Sequence, residues 1–402
     1  MKAKIFPGKA VGVLTAPPSK SMAHRLLIAA ALSEGESVVE NLSLCEDVLA
    51  TVDCLRALGA EIKTIGSTAY IRGFDPRHAE SVGVLNCRES GSTLRFLVPL
   101  AWLCGKGVKF ACKESLLCRP MSVYEELSDK YNAVFSHTGG GIEVKGPLCA
   151  NDVSVDAGVS SQFVSGLIFA MIFNDSDSTI TLRGSIESLP YIDMTIDALC
   201  KFGACVIRCD SVIKIKANHL PRARKIRVEG DYSATAFIEA MSLLSGNVKI
   251  CGLDENSLQG DKVYLEYFPI LQRGFSEISI KSCPDLGPIL FAFAAACHGG
   301  RFTDTARLRI KESDRSHAMK CELEKFGAQV EIYDNEVVIN PSVLHTPSES
   351  LSGHNDHRIV MSLAVLCTVL GGEISGAEAV SKSYPDFFED IKSLGIRVEY
   401  QN

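Results

Sequence analysis

The sequence lacks any apolar run long enough to span a bilayer. Its longest runs, residues 167–173 and 289–297, fall well short of the roughly 20 residues that a transmembrane helix needs. The amino terminus has neither the apolar core of a secretory signal nor an arginine-rich leader. A large excess of one charge is also missing, because 41 basic and 48 acidic residues leave a net charge of −7. We therefore expect a cytoplasmic protein without a membrane segment, and no nucleic acid as its main partner.

Paired cysteine motifs are absent, although the chain has 15 cysteines. No Cys-x-x-Cys occurs, and most cysteines lie in apolar segments, as Cys200 and Cys297 do. This pattern favours free thiols in a reducing compartment over a disulfide framework. Only Cys205 and Cys209 approach the spacing of zinc ligands, so we expect no structural metal.

Several common catalytic motifs are also missing. No Gly-x-Gly-x-x-Gly follows a predicted strand, and no Gly-Lys-Ser/Thr phosphate loop, Gly-x-Ser-x-Gly elbow or His-x-x-x-His zinc pair occurs. Ser211 and Lys214 match Ser-x-x-Lys but lie in an alternating, strand-like segment. These absences exclude a dinucleotide-binding Rossmann domain, a P-loop enzyme and a serine hydrolase of the usual kinds.

An internal repeat is the strongest organising signal in the 402 residues, which are enough for two or three domains. A helix end, a turn residue and a strand-like pair recur six times, centred on Gly59, Asn132, Gly203, Gly274, Gly327 and Gly395. The spacing is about 70 residues, except for 53 between the fourth and fifth centres. We expect six α/β units, one shortened by a trimmed hairpin around residues 278–284.

Four segments are apolar on nearly all helical faces: residues 25–32, 163–173, 289–297 and 359–370. A helix that is apolar all round is buried inside its domain. We therefore expect sheets that surround internal helices.

Polar and cationic residues stand where these helices begin. Ser19 is placed to cap the first helix, and Lys20, Ser21 and Arg25 follow within two turns. Free backbone N–H groups, hydroxyls and cations together suit an anion. Gly91 with Arg95, Ser160-Ser161-Gln162, and Arg119 before Pro120 repeat this arrangement.

The second half of the chain is richer in charge before its helices. Six charged residues crowd positions 307–315, and Asn355-Asp356-His357-Arg358 precedes an apolar helix. A charge run is commonly a solvated face, but charge next to an apolar helix is costly to bury without ligands or partners. Asp285 also introduces a buried-type helix, where it is either a functional carboxylate or an ordinary N-cap.

Together these motifs resemble the enolpyruvyl transferase family and, within it, the 5-enolpyruvylshikimate-3-phosphate synthases. The resemblance covers essentially the whole chain and rests on one ordered set: Ser19-Lys20-Ser21 with Arg25, Gly91 with Arg95, Arg119-Pro120-Met121, Ser160-Ser161-Gln162, Gln259-Gly260-Asp261, Pro284-Asp285, Lys311-Glu312-Ser313-Asp314-Arg315, Asp356-His357-Arg358 and Lys382. It implies a two-domain α/β (α+β) fold of six βαβαββ repeats around buried parallel helices. The implied domains are 19–228 and 1–18 with 229–402, three repeats each, with the active site in the cleft between them.

The resemblance also implies site residues and a reaction. The implied shikimate 3-phosphate ligands are Lys20, Ser21, Arg25, Ser160, Ser161, Gln162, Ser188, Asp285 and Lys311, with Tyr191 alongside. The implied phosphoenolpyruvate ligands are Lys20, Gly91, Arg119, Gln162, Arg315, Arg358 and Lys382. The implied catalytic residues are Asp285 as base, with Glu312 and Lys20 as proton carriers. The reaction transfers an enolpyruvyl group by addition and elimination, with no metal or organic cofactor, in a protein expected to be a monomer.

Three alternatives compete with this interpretation. The related transferase that acts on UDP-N-acetylglucosamine typically has a cysteine five residues before its Arg-Pro, where this chain has Glu114. A non-catalytic phosphosugar-binding protein would not need Asp285 and Glu312. An RNA 3′-phosphate cyclase relative would need a basic surface, which the net charge of −7 disfavours.

Overall fold

A computed structural model describes residues 1–79, 82–148 and 150–401. The chain divides into two compact units. The N-terminal unit is Pro18–Glu229, and the C-terminal unit combines Met1–Pro17 with Gly230–Asn402. The C-terminal unit is therefore built from both ends of the chain.

The helices are α1 Lys20–Ala31, α2 Glu46–Leu58, α3 Gly91–Leu103, α4 Glu114–Leu117, α5 Ser122–Lys130, α6 Ser161–Met171, α7 Leu189–Lys201, α8 Tyr232–Ser245, α9 Tyr264–Arg273, α10 Gly287–Ala296, α11 Arg315–Lys325, α12 His357–Leu370 and α13 Phe387–Ser393. Short 3₁₀ helices lie at Pro76–His78, Gly260–Val263, Pro284–Leu286, Ala306–Ile310 and Ala377–Lys382.

The strands are β1 Lys2–Ile5, β2 Val11–Thr15, β3 Glu36–Glu40, β4 Glu61–Ile65, β5 Thr68–Arg72, β6 Leu85–Arg88, β7 Val108–Cys112, β8 Val134–Thr138, β9 Gly141–Lys145, β10 Asp152–Asp156, β11 Ser178–Arg183, β12 Val206–Cys209, β13 Val212–Ile215, β14 Lys225–Arg227, β15 Asn247–Cys251, β16 Glu277–Ser279, β17 Gly300–Thr303, β18 Gln329–Ile332, β19 Glu336–Asn340, β20 Leu351–Ser352, β21 Gly372–Ser375 and β22 Val398–Gln401.

The N-terminal unit contains three four-stranded sheets with one topology. In the order β6-β7-β9-β8, the first two strands are parallel and the last two form an antiparallel hairpin. The order β10-β11-β13-β12 repeats it, and β14-β3-β5-β4 repeats it with β14 in the first place. A parallel pair joined by a helix and followed by a hairpin is the βαβαββ repeat.

The C-terminal unit contains one complete sheet of this kind, β16-β17-β19-β18, and two modified ones. In β20-β21-β1-β22, the first strand of the chain occupies the place of the last hairpin strand. The parallel pair of β2 and β15 has no hairpin, because only three residues separate α9 from β16. The shortened repeat was predicted correctly, but the predicted place of the trimmed hairpin is wrong. Residues 278–284 form the end of β16 and its connection to a 3₁₀ helix.

The turn residue that marks each repeat has a structural reason. Gly59, Asn132, Gly203, Gly327 and Gly395 all have positive φ angles, between 55° and 126°. This conformation ends a helix and redirects the chain into a strand. Gly274, the marker of the shortened repeat, is instead extended with φ 162°.

The first helix of each repeat is buried on nearly all sides, as predicted from its composition. In α1 every residue from Met22 to Ala31 is buried, and in α10 every residue from Gly287 to Ala295 is buried. Each unit packs these helices into its own hydrophobic core. Polar helix starts are therefore held by rigid, buried elements.

Membrane-spanning helices, metal-binding clusters and disulfides were each considered from the sequence, and the structure bears on all three. In the part of the chain that is described, no helix combines the length and the apolarity needed to cross a membrane. Within the same residues, no group of three or more His, Cys, Asp or Glu side chains could hold a metal ion. Fourteen cysteines are free thiols, and Cys149 lies outside the described residues.

The packing of α6 against α3 generates a stability prediction for Gly166→Ala. A methyl group at this buried position would overlap the Arg95 carbonyl oxygen and the Tyr124 hydroxyl. Alanine gains about 1 kcal/mol of helix propensity, but overpacking against a fixed backbone costs about 1–3 kcal/mol or more. We expect a lower melting temperature for this variant. Gly139→Ala, whose methyl group would meet nothing within 4 Å, is the control, and equal melting of the two variants would contradict the prediction.

Candidate active site

In the N-terminal unit, the start of α1 presents the cations predicted from the sequence. The Ser19 hydroxyl caps the helix by accepting from the Met22 N–H at 3.4 Å. Lys20 Nζ lies 3.0 Å from Asp47 Oδ2 on α2. Asp47 was not predicted, because a single carboxylate in the first turn of an amphipathic helix is common.

Arg25 is buried one turn further along α1. Its guanidinium donates to the Ser21 carbonyl at 2.7 Å, to the Tyr191 carbonyl at 2.8 Å and to Thr195 Oγ1 at 2.8 Å. Burial lowers the pKa of Arg25 to about 10, so it keeps its charge at neutral pH. Ser188, which precedes α7 with a φ of 54°, is brought to the same region through Tyr191.

A second cationic group surrounds Gly91 at the start of α3. Arg95 donates to Gln162 Oε1 at 2.8 Å, and Gln162 Nε2 donates to Ser92 Oγ at 3.0 Å. A methyl group on Gly91 would lie 3.1 Å from an Arg119 nitrogen. Glycine therefore leaves room beside this guanidinium, as a ligand that approaches the backbone requires.

The paired serines before α6 lie beside this group. The Ser160 hydroxyl accepts from the Gln162 N–H at 3.3 Å, and both Ser160 and Ser161 are buried. The structure thus brings together the predicted residues of the N-terminal unit in two neighbouring groups at the starts of α1, α3, α6 and α7.

A buried chain of hydroxyls connects α1, α2 and the start of α3, and sequence reasoning missed it. His24 Nδ1 lies 2.7 Å from Thr51 Oγ1, which lies 2.7 Å from Thr93 Oγ1, which donates to Ser90 Oγ at 2.7 Å. Burial lowers the pKa of His24 most, and the nearby positive charges of Lys20 and Arg25 lower it further, so the imidazole is neutral. Threonine within a helix gives no sequence signal that could have revealed this chain.

In the C-terminal unit, Arg315 is the centre of a network of charges. Its guanidinium, 1% exposed, bonds Asp356 Oδ2 at 2.9 Å, Asp285 Oδ1 at 2.8 Å and Glu312 Oε2 at 2.6 Å. Burial opposes the charge, but the three carboxylates raise the pKa of Arg315 overall. Such bonds are strong because both partners are ionised.

Asp285 faces three cations. Besides Arg315, its carboxylate lies 3.2 Å from Lys311 Nζ and 3.0 Å from an Arg358 nitrogen. It belongs to the 3₁₀ helix Pro284–Leu286 rather than to α10, whose N-cap position is occupied by Leu286. The interpretation of Asp285 as an ordinary N-cap is therefore wrong.

Lys311 and Lys382 occupy different surroundings. Burial lowers the pKa of Lys311 although Asp285 opposes this effect, so the ammonium depends on its carboxylate partner. Lys382 Nζ donates to the Asn355 carbonyl at 2.6 Å, which connects it to the turn before α12. Among the predicted residues of this unit, Asp285, Lys311, Glu312, Arg315 and Arg358 form one network, and Lys382 lies at the turn that leads to Arg358.

Asp261 is a buried carboxyl that belongs to the matched motif but had no predicted role. Burial and, next, the charge of Asp285 raise its pKa to about 6. The Ser233 hydroxyl donates to it. The site thus contains one carboxyl that holds its proton more tightly than usual beside one that is surrounded by cations.

The raised pKa of Asp261 generates a prediction about stability and pH. The pKa of Asp261 in the folded protein exceeds the ordinary value of 3.8. The stability that its protonated carboxyl contributes to the folded state is therefore complete below about pH 4 and is lost as the pH rises through about 6. The full loss is about 3 kcal/mol. In urea unfolding from pH 4 to 7, Asp261→Asn should gain stability relative to the unmodified protein as the pH rises. The exposed Asp334→Asn should run parallel to the unmodified protein, and parallel behaviour of Asp261→Asn would refute the prediction.

Comparison with known proteins gives one consistent result. Residues 6–391 match the family model described as EPSP synthase (3-phosphoshikimate 1-carboxyvinyltransferase). A protein of that enzyme name from Clostridium acetobutylicum is 39% identical over 421 positions, covering 98% of this chain and 97% of the relative. A second from Clostridium perfringens is 36% identical over 417 positions, covering 98% of each. Both alignments exceed 402 positions, so this chain has internal gaps, in agreement with the missing hairpin.

Solved structures share the fold. An EPSP synthase from Acinetobacter baumannii superimposes with a TM-score of 0.81 at 23% identity, covering 99% of this chain and 100% of that one. The enolpyruvyl transferase NikO from Streptomyces tendae gives a TM-score of 0.79 at 14% identity, covering 100% and 98%. The predicted enolpyruvyl transferase fold is confirmed.

Proposed function

Because this chain belongs to the EPSP synthase family, we propose that its two groups of cationic side chains hold the two anionic substrates of that family's reaction. The enzyme transfers the enolpyruvyl group of phosphoenolpyruvate to the 5-hydroxyl of shikimate 3-phosphate and releases phosphate. This is a step of the shikimate pathway towards chorismate and the aromatic amino acids. The prediction of this activity from the sequence is confirmed.

We assign shikimate 3-phosphate mainly to the group at the starts of α1, α6 and α7. The proposed ligands are Lys20, Ser21, Arg25, Ser160, Ser161, Gln162 and Ser188, with Asp285 and Lys311 from the other unit. The support is chemical: buried hydroxyls, free helix N–H groups and a guanidinium held by neutral partners together suit a phosphate.

We assign phosphoenolpyruvate to residues of both units. The proposed ligands are Lys20, Gly91, Arg119, Gln162, Arg315, Arg358 and Lys382. Arginine binds carboxylate and phosphate in a bidentate manner, and phosphoenolpyruvate carries both groups. The space beside Gly91, bounded by Arg119 and Gln162, supports the assignment in the N-terminal unit.

The observation that carries the chemical proposal is the Asp285 carboxylate among Lys311, Arg315 and Arg358. Substrate anions would compete with Asp285 for these cations and leave its carboxylate able to act as a base. Asp285 then takes the proton of the 5-hydroxyl as the oxygen attacks carbon 2 of phosphoenolpyruvate. Glu312 and Lys20 are the proposed donors to carbon 3.

In the elimination step, the proton that was donated to carbon 3 returns to the proposed donors, Glu312 and Lys20. The tetrahedral intermediate loses a proton from carbon 3 as the bond from carbon 2 to the phosphate oxygen breaks, which restores the double bond and releases phosphate. The arginines stabilise the charge that develops on phosphate and carboxylate. We further propose that the enzyme is a monomer in the cytoplasm, a reducing compartment that suits its free thiols.

The decisive assay measures phosphate release from phosphoenolpyruvate with each acceptor separately. We expect release with shikimate 3-phosphate and none with UDP-N-acetylglucosamine. Release with the sugar nucleotide alone would overturn the proposed substrates.

Asp285→Asn tests the proposed base. Asparagine keeps the size of the side chain but cannot take a proton, so kcat should fall by roughly 10²–10⁴ while substrate binding persists. Steady-state phosphate release measures the loss, and binding is followed separately by titration calorimetry. Asp334→Asn, an exposed carboxyl of the same unit, is the matched control. A kcat within a few-fold of the unmodified enzyme would remove Asp285 from the mechanism.

Serine substitutions at Cys112 and Cys118 test the related transferase. Cys118 is exposed and directly precedes Arg119, so it is the thiol best placed to compete as a nucleophile. Because the substrate's own hydroxyl attacks in the proposed reaction, both variants should keep turnover within a few-fold. A covalent adduct of phosphoenolpyruvate on Cys112 or Cys118 of the unmodified enzyme, detected by mass spectrometry, would contradict this expectation.

A further inference from the structure

The turn that leads into α12 has an unfavourable backbone. His354 and Asn355 have φ angles of 47° and 52°, so two successive residues other than glycine are left-handed. Each such residue is sterically unfavourable in this conformation, which persists only when the surrounding structure fixes it. The contacts of residues 352–356, here called the α12 turn, show what fixes it.

Glu322 on α11 holds the first half of the α12 turn. Its carboxylate, 2% exposed, accepts from the Ser352 N–H, from His354 Nε2 and from Lys325 Nζ, each at 2.9 Å. Burial alone would raise the pKa of Glu322, but these donors lower it, so the carboxylate is ionised at neutral pH. A buried carboxylate with three donors is a strong attachment point.

Arg315 holds the second half of the same turn from the same helix. It bonds Asp356, whose side chain also caps α12 by accepting from the Arg358 N–H at 2.9 Å. Arg315 and Glu322 are seven residues apart, which places them two turns apart on one face of α11. One helix therefore fastens both halves of the α12 turn.

The α12 turn lies next to two of the residues proposed above as phosphoenolpyruvate ligands, Arg358 and Lys382. The Asn355 carbonyl accepts from Lys382 Nζ at 2.6 Å, and Arg358 lies two residues after Asp356, the last residue of the turn. A change in the turn would displace both cations. The proposed shikimate 3-phosphate ligands of the N-terminal unit lie in Pro18–Glu229, far from this turn in the sequence.

We propose that Glu322, acting with His354, is a positioning residue that fixes the α12 turn and thereby places Lys382 and Arg358 for phosphoenolpyruvate. The proposal rests on the assignment of those two cations under the proposed function. Glu322 is not one of the proposed substrate ligands. Its loss should therefore weaken the binding of phosphoenolpyruvate more than that of shikimate 3-phosphate.

Glu322→Gln is the first test, because it keeps the size of the side chain but presents an amide N–H₂ to donors. We expect the KM for phosphoenolpyruvate to rise by about tenfold, the loss typical of a bond to a charged group. The KM for shikimate 3-phosphate should stay within about threefold. Because Arg358 also bonds the proposed base Asp285, kcat should fall too, but by less than the KM for phosphoenolpyruvate rises. Glu324→Gln is the matched control on the same helix, since Glu324 is exposed and its ion pair is with Lys320, away from the α12 turn. The Glu324→Gln variant should leave both KM values and kcat unchanged.

A pair of variants at His354 supplies the second test. His354→Ala removes the donor to Glu322 and should reproduce the rise in KM, whereas His354→Gln offers an amide donor of similar reach and should restore much of the affinity. Alanine and glutamine both lack the enrichment of histidine at positive φ, so the comparison of the two variants with each other tests the hydrogen bond. His354 is partly exposed, so these variants should fold even if Glu322→Gln does not.

Hydrogen exchange at residues 353–356 separates this proposal from the proposed function. The unmodified protein and Glu324→Gln should protect these amides, and Glu322→Gln and His354→Ala should lose the protection. Unchanged exchange, or an equal change in both KM values and kcat, would overturn the positioning role. An unmodified enzyme that released no phosphate would instead refute the proposed function, whatever the exchange at the turn.

Discussion

The buried ion pair of Arg315 with Asp356 is the interaction on which the C-terminal unit's chemistry depends. Both side chains are almost completely removed from water, at 1% and 0% exposure. Removing one partner of such a pair typically costs about 3–5 kcal/mol, because the other charge is left buried alone. Among the described residues, Arg315 contacts Asp285, Glu312 and Asp356, and Asp285 also contacts Lys311 and Arg358. This network therefore holds the starts of α10, α11 and α12 beside the residues that we propose for the reaction.

The N-terminal unit holds its cations by a different principle. Arg25 donates to two carbonyls and one hydroxyl, so its orientation is fixed, and no carboxylate among the described residues forms an ion pair with it. Lys20, in contrast, has Asp47 at 3.0 Å. A guanidinium held by neutral groups suits binding of phosphate, and a carboxylate surrounded by cations suits proton transfer once substrate anions compete for those cations. The two units thus favour different parts of one reaction.

Sequence reasoning succeeded where the signal was local or came from an ordered set of motifs. Buried helices followed from composition, the repeat from turn residues such as Gly203 and Gly327, and the fold and reaction from the resemblance. It failed where distant residues meet. The bond between Glu322 and His354 joins positions 32 residues apart, and the chain from His24 to Thr93 crosses three helices. No periodicity marks such contacts, and the place of the missing hairpin was likewise set by strand pairing.

The position of β1 between β21 and β22 has a consequence for synthesis on the ribosome. The N-terminal unit is one continuous stretch, so it can fold as soon as Glu229 has left the exit tunnel. The first strand of the chain has no such opportunity, because both of its neighbours lie near the other terminus. At typical rates of elongation, roughly 10–30 s separate the synthesis of Glu229 from that of these strands. During that interval the nascent protein carries a finished N-terminal unit while β1 still lacks both of the strands that it pairs with.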